Sequence, residues 1–162
     1  MLIFSVNINK TSTPHNVEVF MSFEREKINV VDSRVENNSW MTSEEHCMAL
    51  NIYHEARGST YDDMIGVASV TLNRKDSWRW PDSVCEVVYQ SWAFSWTMDD
   101  LSDIPYEKKA WNTSIKIAKA LAREEIPRNT KANHYYNPAH ASPKWSIGVS
   151  YTIIGSHKYL TI

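Results

Sequence analysis

Residues 42–58, TSEEHCMALNIYHEARG, decide how the rest of the chain is interpreted. Thr42 or Ser43 can cap a helix, acidic residues fill its first turn, and Gly58 provides a stop. Side chains at helical spacing share one face of this helix: Cys47, Leu50, Tyr53 and His54. The stretch therefore predicts an amphipathic helix that carries Glu55 in its last turn.

The next residues, 59–74, predict a second helix with the sequence STYDDMIGVASVTLNR. Thr60 and Asp63 resemble a capping box in which Asp replaces the usual Glu. Small side chains at Gly66, Ala68 and Ser69 keep the helix slim, which favours close contact with a neighbouring helix. A broad apolar face accompanies them: Ile65, Val67, Ala68, Val70 and Leu72.

The remainder of the chain adds two helices and a hairpin. Residues 83–90, SVCEVVYQ, predict a short helix. Residues 107–124 predict an amphipathic helix with one apolar stripe, formed by Trp111, Ile115, Ala118 and Leu121. Residues 149–162, VSYTIIGSHKYLTI, predict two strands joined by a turn at Gly155 and Ser156. The pattern indicates an α+β fold, mainly α, with a C-terminal β-hairpin.

Residues 1–41 differ in character from the rest. Apolar side chains alternate in residues 1–8 and again in residues 17–23, with turn-forming residues between them. This pattern predicts a strand-like extension that forms a hairpin. The polar, unpatterned segment at residues 32–40 then predicts a linker, so residues 42–162 are expected to form a separate main domain.

Composition narrows the classes of function. The 162 residues suit a single domain, and 17 basic and 19 acidic residues give a net charge of −2 without long runs of either sign. This distribution argues against nucleic acid and membrane partners, and no stretch is apolar enough to span a bilayer. Seven Trp and eight Tyr provide flat faces that suit sugar rings, although core filling is the simpler account of any one of them.

The two cysteines are too few for a disulfide framework. Cys47 and Cys85 each lie in an apolar helical pattern, which favours buried free thiols, with a single bridge between them as the alternative. A cysteine hydrolase would pair one of these thiols with His134, His140 or His157. Neither cysteine follows a turn that exposes a nucleophile at a helix N-terminus, which disfavours that class.

The sequence YHEARG around His54 and Glu55 allows three interpretations. A zinc protease helix needs a second His four residues after the first, and Gly58 occupies that position, so no metal site is predicted. A structural interpretation pairs Glu55 with Arg57 or leaves it solvated. A catalytic interpretation makes Glu55 a general acid, because the negative end of the helix dipole and partial burial raise the pKa of a carboxyl group.

A wider resemblance favours the catalytic interpretation. Residues 44–159 resemble the cell wall hydrolase family of the spore cortex-lytic enzymes (SleB-like), which also occurs in bacteriophages. The matching blocks stand in the family's order: ALNIYHEARG, MIGVASVTLNR, WPDSVCEVVYQ, AFSW, NHYYNP and GSHKY. The resemblance implies a lysozyme-like domain that acts on peptidoglycan glycan strands as a lytic transglycosylase, without a cofactor.

The same resemblance implies roles for particular residues. The family's single catalytic glutamate falls on Glu55, which would serve as general acid and base because the substrate's own C6 hydroxyl replaces a second carboxylate. Phe94 and Tyr135 are expected in the core, and His157 is expected to have a structural partner. Four further residues are predicted to contact the substrate: Gln90, Ser95, Trp96 and Tyr136.

Two other functions remain open from the sequence. One is a hydrolytic muramidase with a loop aspartate, Asp99 or Asp100, as base, since Asp62 and Asp63 fit helix-cap positions. The other is a non-catalytic protein of the wall or virion that keeps the fold. The opening residues lack the pattern of an export signal. The chain is therefore expected to be made in the cytoplasm and to reach the cell wall as a bacteriophage endolysin or a virion-carried enzyme, with a cellular enzyme whose leader is misread as the alternative. It is also expected to be a monomer.

Overall fold

The computed structural model describes residues 41–162, which form one compact unit. The hairpin predicted near the N-terminus lies outside the described residues. The helices are α1 (Ser43–Ala56), α2 (Tyr61–Lys75), α3 (Val84–Tyr89) and α4 (Lys108–Ala122), with 3-10 turns at Ser95–Met98 and Lys144–Ser146. The strands are β1 (His134–Tyr136), β2 (Tyr151–Ile154) and β3 (His157–Leu160). The fold is mainly helical with a small antiparallel sheet, as the sequence predicts.

Helix α1 occupies the centre of the unit. Its N-terminus has a complete capping box, in which Thr42 Oγ1 accepts from the Glu45 amide at 3.1 Å and Glu45 Oε2 accepts from the Thr42 amide at 2.9 Å. The prediction of a single buried face was too narrow, since further side chains are buried around the helix: Met48, Ala49, Asn51 and Ile52. A helix buried on most of its sides is surrounded by other elements, and α1 packs against α2, α3 and α4.

Helix α2 supports the sheet rather than only its neighbouring helices. Thr60 caps it by accepting from the Asp63 amide at 3.2 Å, but the Asp63 carboxylate does not return to Thr60 and instead bonds residues of the sheet. The predicted capping box is therefore only half formed. A Cβ at Gly66 would lie 2.6 Å from the Tyr159 ring, so the small residue makes room for a strand side chain.

The sheet has strand order β1-β3-β2, with both pairs antiparallel. The predicted C-terminal hairpin is confirmed as β2 and β3, joined at Gly155, whose φ of +57° lies in the region that glycine tolerates best. The sequence did not predict β1, because three residues are too few to show an alternating pattern. Its pairing places Tyr135 opposite Tyr159.

Asp63 is the buried anchor between α2 and this hairpin. Its carboxylate accepts from Tyr159 Oη at 2.7 Å, from His157 Nδ1 at 2.9 Å and from the Ser156 amide at 3.1 Å, and it also accepts from the Ser59 hydroxyl. Burial alone would raise the pKa of Asp63, but these hydrogen bonds hold the pKa well below its ordinary value. His157 thus has the structural partner expected of it.

The two cysteines form a disulfide, which corrects the prediction of free thiols. The Cys47 and Cys85 sulfur atoms are 2.12 Å apart, and the bond joins α1 to α3. Each cysteine does lie in an apolar helical pattern, but the packing of two helices brings their Cα atoms to 5.2 Å. With both sulfur atoms bonded to each other, a cysteine nucleophile is excluded.

Removing this bond should destabilise the domain without changing its fold. Closing a loop with a sequence separation of 38 restricts the unfolded chain, so the double variant Cys47→Ser, Cys85→Ser should lose about 2–4 kcal/mol of unfolding free energy. Urea denaturation of both proteins measures the difference, with reduced wild type as an independent comparison. Detection of two free thiols in the unfolded, unreduced wild type would contradict the assignment.

No helix within residues 41–162 is both long and apolar enough to cross a lipid bilayer.

Candidate active site

Glu55 lies where two cavities of the surface meet. The larger has a volume of about 1050 Å³ and the smaller about 710 Å³. Both are lined by Glu55 together with His54, Arg57 and Ser95. The cavities therefore form one continuous groove that passes the carboxyl group, a shape that suits an extended polymer more than a small, enclosed ligand.

Tyr135 holds the Glu55 carboxyl group in place. Its hydroxyl donates to Glu55 Oε2 at 2.9 Å, and its ring lies 5.6 Å from that of Tyr159 and 6.5 Å from that of Phe94. The hydrogen bond joins the C-terminal turn of α1 to β1, across 80 residues of sequence. Tyr135 is partly buried and packs against the core, where the sequence analysis expected it, but it also lines the larger cavity. Its contact with the candidate catalytic residue was not predicted from the sequence.

Burial raises the pKa of Glu55 above its ordinary value. The Tyr135 hydrogen bond and the positive fields of His157 and Arg74 lower the pKa, but they offset the effect of burial only in part. The direction agrees with the sequence prediction, while the main cause is desolvation. A carboxyl group with a raised pKa keeps a proton to donate closer to neutral pH.

The pairing of Glu55 with Arg57 that the structural interpretation offered is not formed, because Arg57 has other partners. Its Nε lies 3.3 Å from Glu107 Oε1, and its guanidinium carbon is 5.0 Å from the ring centre of Tyr53 and 5.5 Å from that of Tyr106. These contacts draw Arg57 toward the segment before α4. Glu55 is thus left facing the groove without an ion pair among the described residues.

Arg74 is a further groove residue that the sequence analysis did not select. It lines the larger cavity yet is only 8% exposed, with Nε donating to the Asn133 carbonyl at 2.7 Å and the guanidinium 5.4 Å from the centre of the Phe94 ring. The sequence could have indicated this position, because Arg74 follows Val67 by seven residues and Val70 by four, which places it on the buried face of α2.

Two of the four residues predicted to contact the substrate line the groove, where a ligand can reach them. Ser95 is exposed and lines both cavities, and Tyr136 lines the larger one. Gln90 is exposed at the end of α3 but lines neither cavity. Its side chain therefore does not join the site around Glu55.

Trp96, also predicted to contact the substrate, lines the groove but is largely buried. It borders the smaller cavity, but it is 6% exposed, its indole N–H donates to Asn51 Oδ1 at 3.1 Å, and the His54 ring stacks on it with centroids 4.5 Å apart. His54 in turn donates from Nε2 to the Asp103 carbonyl at 3.1 Å. The ring face covered by His54 is not available to a sugar, so Trp96 supports the groove wall.

The aspartates considered as a second acid fall into two groups. Asp63 is fully buried in its contacts with the sheet, and neither Asp62 nor Asp100 lines either cavity. Asp99 lines the smaller cavity, and so does Asp103, which the sequence analysis did not consider. The two ends of the groove therefore differ in charge.

Comparison with known protein families shows to which family the chain belongs. The profile described as cell wall hydrolase matches residues 58–160. The chain belongs to the cell wall hydrolase family. The resemblance expected from the six sequence blocks is thus confirmed. Since the matched residues begin after Glu55, the assignment of that residue depends on the geometry of the groove.

Full-length relatives of the cell wall hydrolase family are larger than this chain. The spore cortex-lytic enzyme of Oceanobacillus iheyensis is 33% identical over 101 residues, which are 60% of this chain and 34% of that protein. The enzyme of the same name from Bacillus subtilis is 29% identical over 101 residues, covering 62% and 32%. The chain thus spans about a third of the length of these two relatives.

Two solved structures of this family have a similar fold. The catalytic domain of the Bacillus cereus SleB protein has a TM-score of 0.58 and 26% identity, covering 73% of this chain and 89% of that one. The catalytic domain of the germination-specific lytic transglycosylase SleB from Bacillus anthracis has a TM-score of 0.61 and 28% identity, covering 76% and 98%. The similarity therefore spans almost the whole of each of those catalytic domains.

The pH dependence of wall cleavage should follow the protonation of Glu55. Activity should fall as pH rises through the raised pKa, because the acid then has no proton to donate. In Tyr135→Phe, which removes a hydrogen bond that lowers the pKa, the fall should move to higher pH. Initial rates on purified sacculi across a pH series measure both effects.

The exposed Tyr61 supplies a matched control for this series, since Tyr61→Phe removes a hydroxyl group that is remote in sequence from β1 and lines neither cavity. It should leave the profile unchanged. If activity in Tyr135→Phe falls at the same pH as in wild type, or at a lower pH, Glu55 is excluded as the titrating acid.

Proposed function

We propose that this chain cleaves peptidoglycan glycan strands by lytic transglycosylation between N-acetylmuramic acid and N-acetylglucosamine, with Glu55 as general acid and then general base. The observation that supports this most directly is a single carboxyl group with a raised pKa at the junction of two cavities. A groove on both sides of that group suits a strand that continues past the bond to be cut.

In the first step, protonated Glu55 donates to the oxygen of the glycosidic bond as that bond breaks. The C6 hydroxyl of the muramic acid residue attacks its own C1, and the Glu55 carboxylate takes up the hydroxyl proton. Glu55 ends the cycle protonated, and no water is consumed. One carboxyl group is therefore sufficient, whereas hydrolysis by the usual routes needs two.

Tyr135 is expected to keep one side of the Glu55 carboxyl group fixed during these steps. Its hydroxyl bonds Oε2, while Oε1 has no hydrogen-bond partner among the described residues. Oε1 is then the oxygen that would exchange the proton with the substrate. A fixed carboxyl group favours proton transfer because its orientation is already set before the transition state is reached.

The Cys47–Cys85 disulfide is consistent with action on the wall. Disulfides persist in oxidising surroundings and are rare in the reducing cytoplasm. A wall-cutting domain works outside that compartment, where the bond would remain closed.

A hydrolytic muramidase is the second candidate, and one observation favours it. Asp99 and Asp103 line the smaller cavity together with Glu55. If either carboxylate activates a water on the opposite face of the sugar, the product has an ordinary reducing end.

Mass spectrometry of digested glycan strands decides between the two reactions. Transglycosylation leaves a 1,6-anhydro end, and hydrolysis leaves an end that is one water heavier. We expect anhydro ends from wild type and from the Asp99→Asn, Asp103→Asn double variant. The muramidase would be established instead by two results together. The products of wild type would carry the added water, and the double variant would form them at a much lower rate.

A further inference from the structure

Arg74 is a buried cation that forms no ion pair within residues 41–162, although the field of Glu55 acts on it. Among residues 41–162, no carboxylate lies within ion-pair distance of its guanidinium, although the side chain is only 8% exposed. Its contacts are the Asn133 carbonyl, reached through Nε, and the face of the Phe94 ring. Burying a charge is costly unless it is paired, so an unpaired guanidinium here requires an explanation.

The two terminal nitrogens of Arg74 are available to the groove. Neither has a hydrogen-bond partner within the described residues, and no polar side-chain atom there is both fully enclosed and unpartnered. These nitrogens must therefore be reached by solvent, and the cavity that Arg74 lines is the larger one. The guanidinium thus presents its terminal N–H donors to the groove beside Glu55.

The charges along the groove indicate what these donors would bind. The larger cavity is lined by Arg57 and Arg74, and Glu55 is its sole carboxyl group among the described residues. The smaller cavity shares Glu55 and Arg57 with it, but it has Asp99 and Asp103 in addition and is not lined by Arg74. A guanidinium binds a carboxylate through two parallel hydrogen bonds, which also supply the missing counter-charge. The larger cavity is therefore suited to an anionic group and the smaller one is not.

We infer that Arg74 is a specificity-determining residue that binds a carboxylate of the muramic acid unit in the larger cavity. This inference rests on the proposed function for its substrate. N-acetylmuramic acid differs from N-acetylglucosamine by its lactyl group, which ends in a carboxylate or continues as the stem peptide. Both forms offer carboxylates, and N-acetylglucosamine offers none. Arg74 would thus set which sugar of the alternating strand occupies the larger cavity, next to Glu55.

Binding of the isolated sugars tests this without cleavage. In the Glu55→Gln protein, NMR titration should show N-acetylmuramic acid binding at least about tenfold more tightly than N-acetylglucosamine, as expected for a charge-assisted pair. In Glu55→Gln, Arg74→Gln that preference should disappear, while N-acetylglucosamine affinity stays the same. Arg74→Lys keeps the charge but loses the two-pronged geometry, so it should retain only part of the preference.

A purely structural role for Arg74 would give a different result. Loss of its contact with the Asn133 carbonyl would weaken both sugars together or lower the melting temperature, and the ratio of the two affinities would not change. Equal affinity for the two sugars in the Glu55→Gln protein overturns the inference, and that comparison needs no change at Arg74. A preference that survives Arg74→Gln overturns it as well.

Muramyl dipeptide separates the two sources of the carboxylate, because its lactyl carboxyl is tied up in an amide bond and its free carboxylate lies on the peptide. If muramyl dipeptide binds more tightly than N-acetylglucosamine, Arg74 binds the carboxylate of the stem peptide. If the two bind equally, Arg74 binds the lactyl carboxylate. The proposed function fails separately, when wild type releases no fragments from sacculi. Cleavage of sacculi combined with equal affinity for both sugars contradicts only the role of Arg74.

Discussion

Replacing Glu55 with Gln should reduce the rate of sacculus cleavage by at least about 10²-fold, and by as much as 10⁴-fold, which is the usual contribution of a positioned acid and base. The amide keeps the size of the side chain and can still accept from the Tyr135 hydroxyl. It has no proton to give to the glycosidic oxygen. Turbidity loss of purified sacculi measures the effect.

The same variant should be at least as stable as wild type at neutral pH. Because the pKa of Glu55 is raised in the folded state, its ionised form is disfavoured there. The resulting penalty is absent below the unfolded pKa, grows as pH rises, and is complete above the folded pKa. Gln has no charge to disfavour at any pH, so thermal melts at pH 4 and pH 7 should show its relative gain only at the higher pH.

Glu124→Gln provides the matched control, since Glu124 is exposed after α4 and lines neither cavity. It should cleave sacculi like wild type. Glu55 loses its assigned role if Glu55→Gln lyses sacculi at nearly the wild-type rate. Glu55 also loses that role if Glu55→Gln melts well below wild type at pH 7, since Glu55 would then be a charged structural partner.

Replacing Asp63 with Ala should have the largest effect on stability. The change removes the acceptor for Ser59, Ser156, His157 and Tyr159 at once and leaves buried donors unpaired. Each buried donor left unpaired costs about 1–3 kcal/mol, so the loss should reach at least about 3 kcal/mol, and urea denaturation measures it. The adjacent Asp62→Ala, at an exposed site, should cost less than about 1 kcal/mol.

The stabilisation by Asp63 should also depend on pH. Since the folded pKa is depressed, the contribution is present above the unfolded value near 3.8 and is lost as pH falls through the folded one. Wild type should therefore lose part of its advantage over Asp63→Ala as the pH is lowered below 4. A difference of less than 1 kcal/mol at pH 7, or one that does not change on acidification, would contradict this role.

Much of the secondary structure follows from interactions between residues close in sequence. The cap at Thr42, the stop near Gly58 and the turn at Gly155 each depend on a few neighbouring residues, so their signals are complete in the sequence. The stripe of α4 is equally local, and Ile115, Ala118 and Leu121 are buried as predicted. Strand β1 is the exception, because its three residues become a strand only by pairing with β3.

Other features needed the tertiary structure, because each depends on groups far apart in sequence. The Asp63 carboxylate serves residues 93 to 96 positions away, and this use could not be read from its place in a capping pattern. The Cys47–Cys85 bond likewise required the packing of two helices. The burial of Trp96 against His54 and Asn51 likewise has no local signature in the sequence.

By itself, the sequence determined the mainly helical fold with its C-terminal hairpin, the family, and Glu55 as the candidate acid at a helix end. The tertiary structure decided the surroundings of that acid. Tyr135, 80 residues later in the sequence, donates a hydrogen bond to Glu55, and Arg57 pairs with Glu107 instead of Glu55. Arg74 lines the groove without an ion pair among the described residues. The reason is physical: caps and periodicity depend on neighbours within a few residues, whereas desolvation and charge depend on everything that surrounds a group in space.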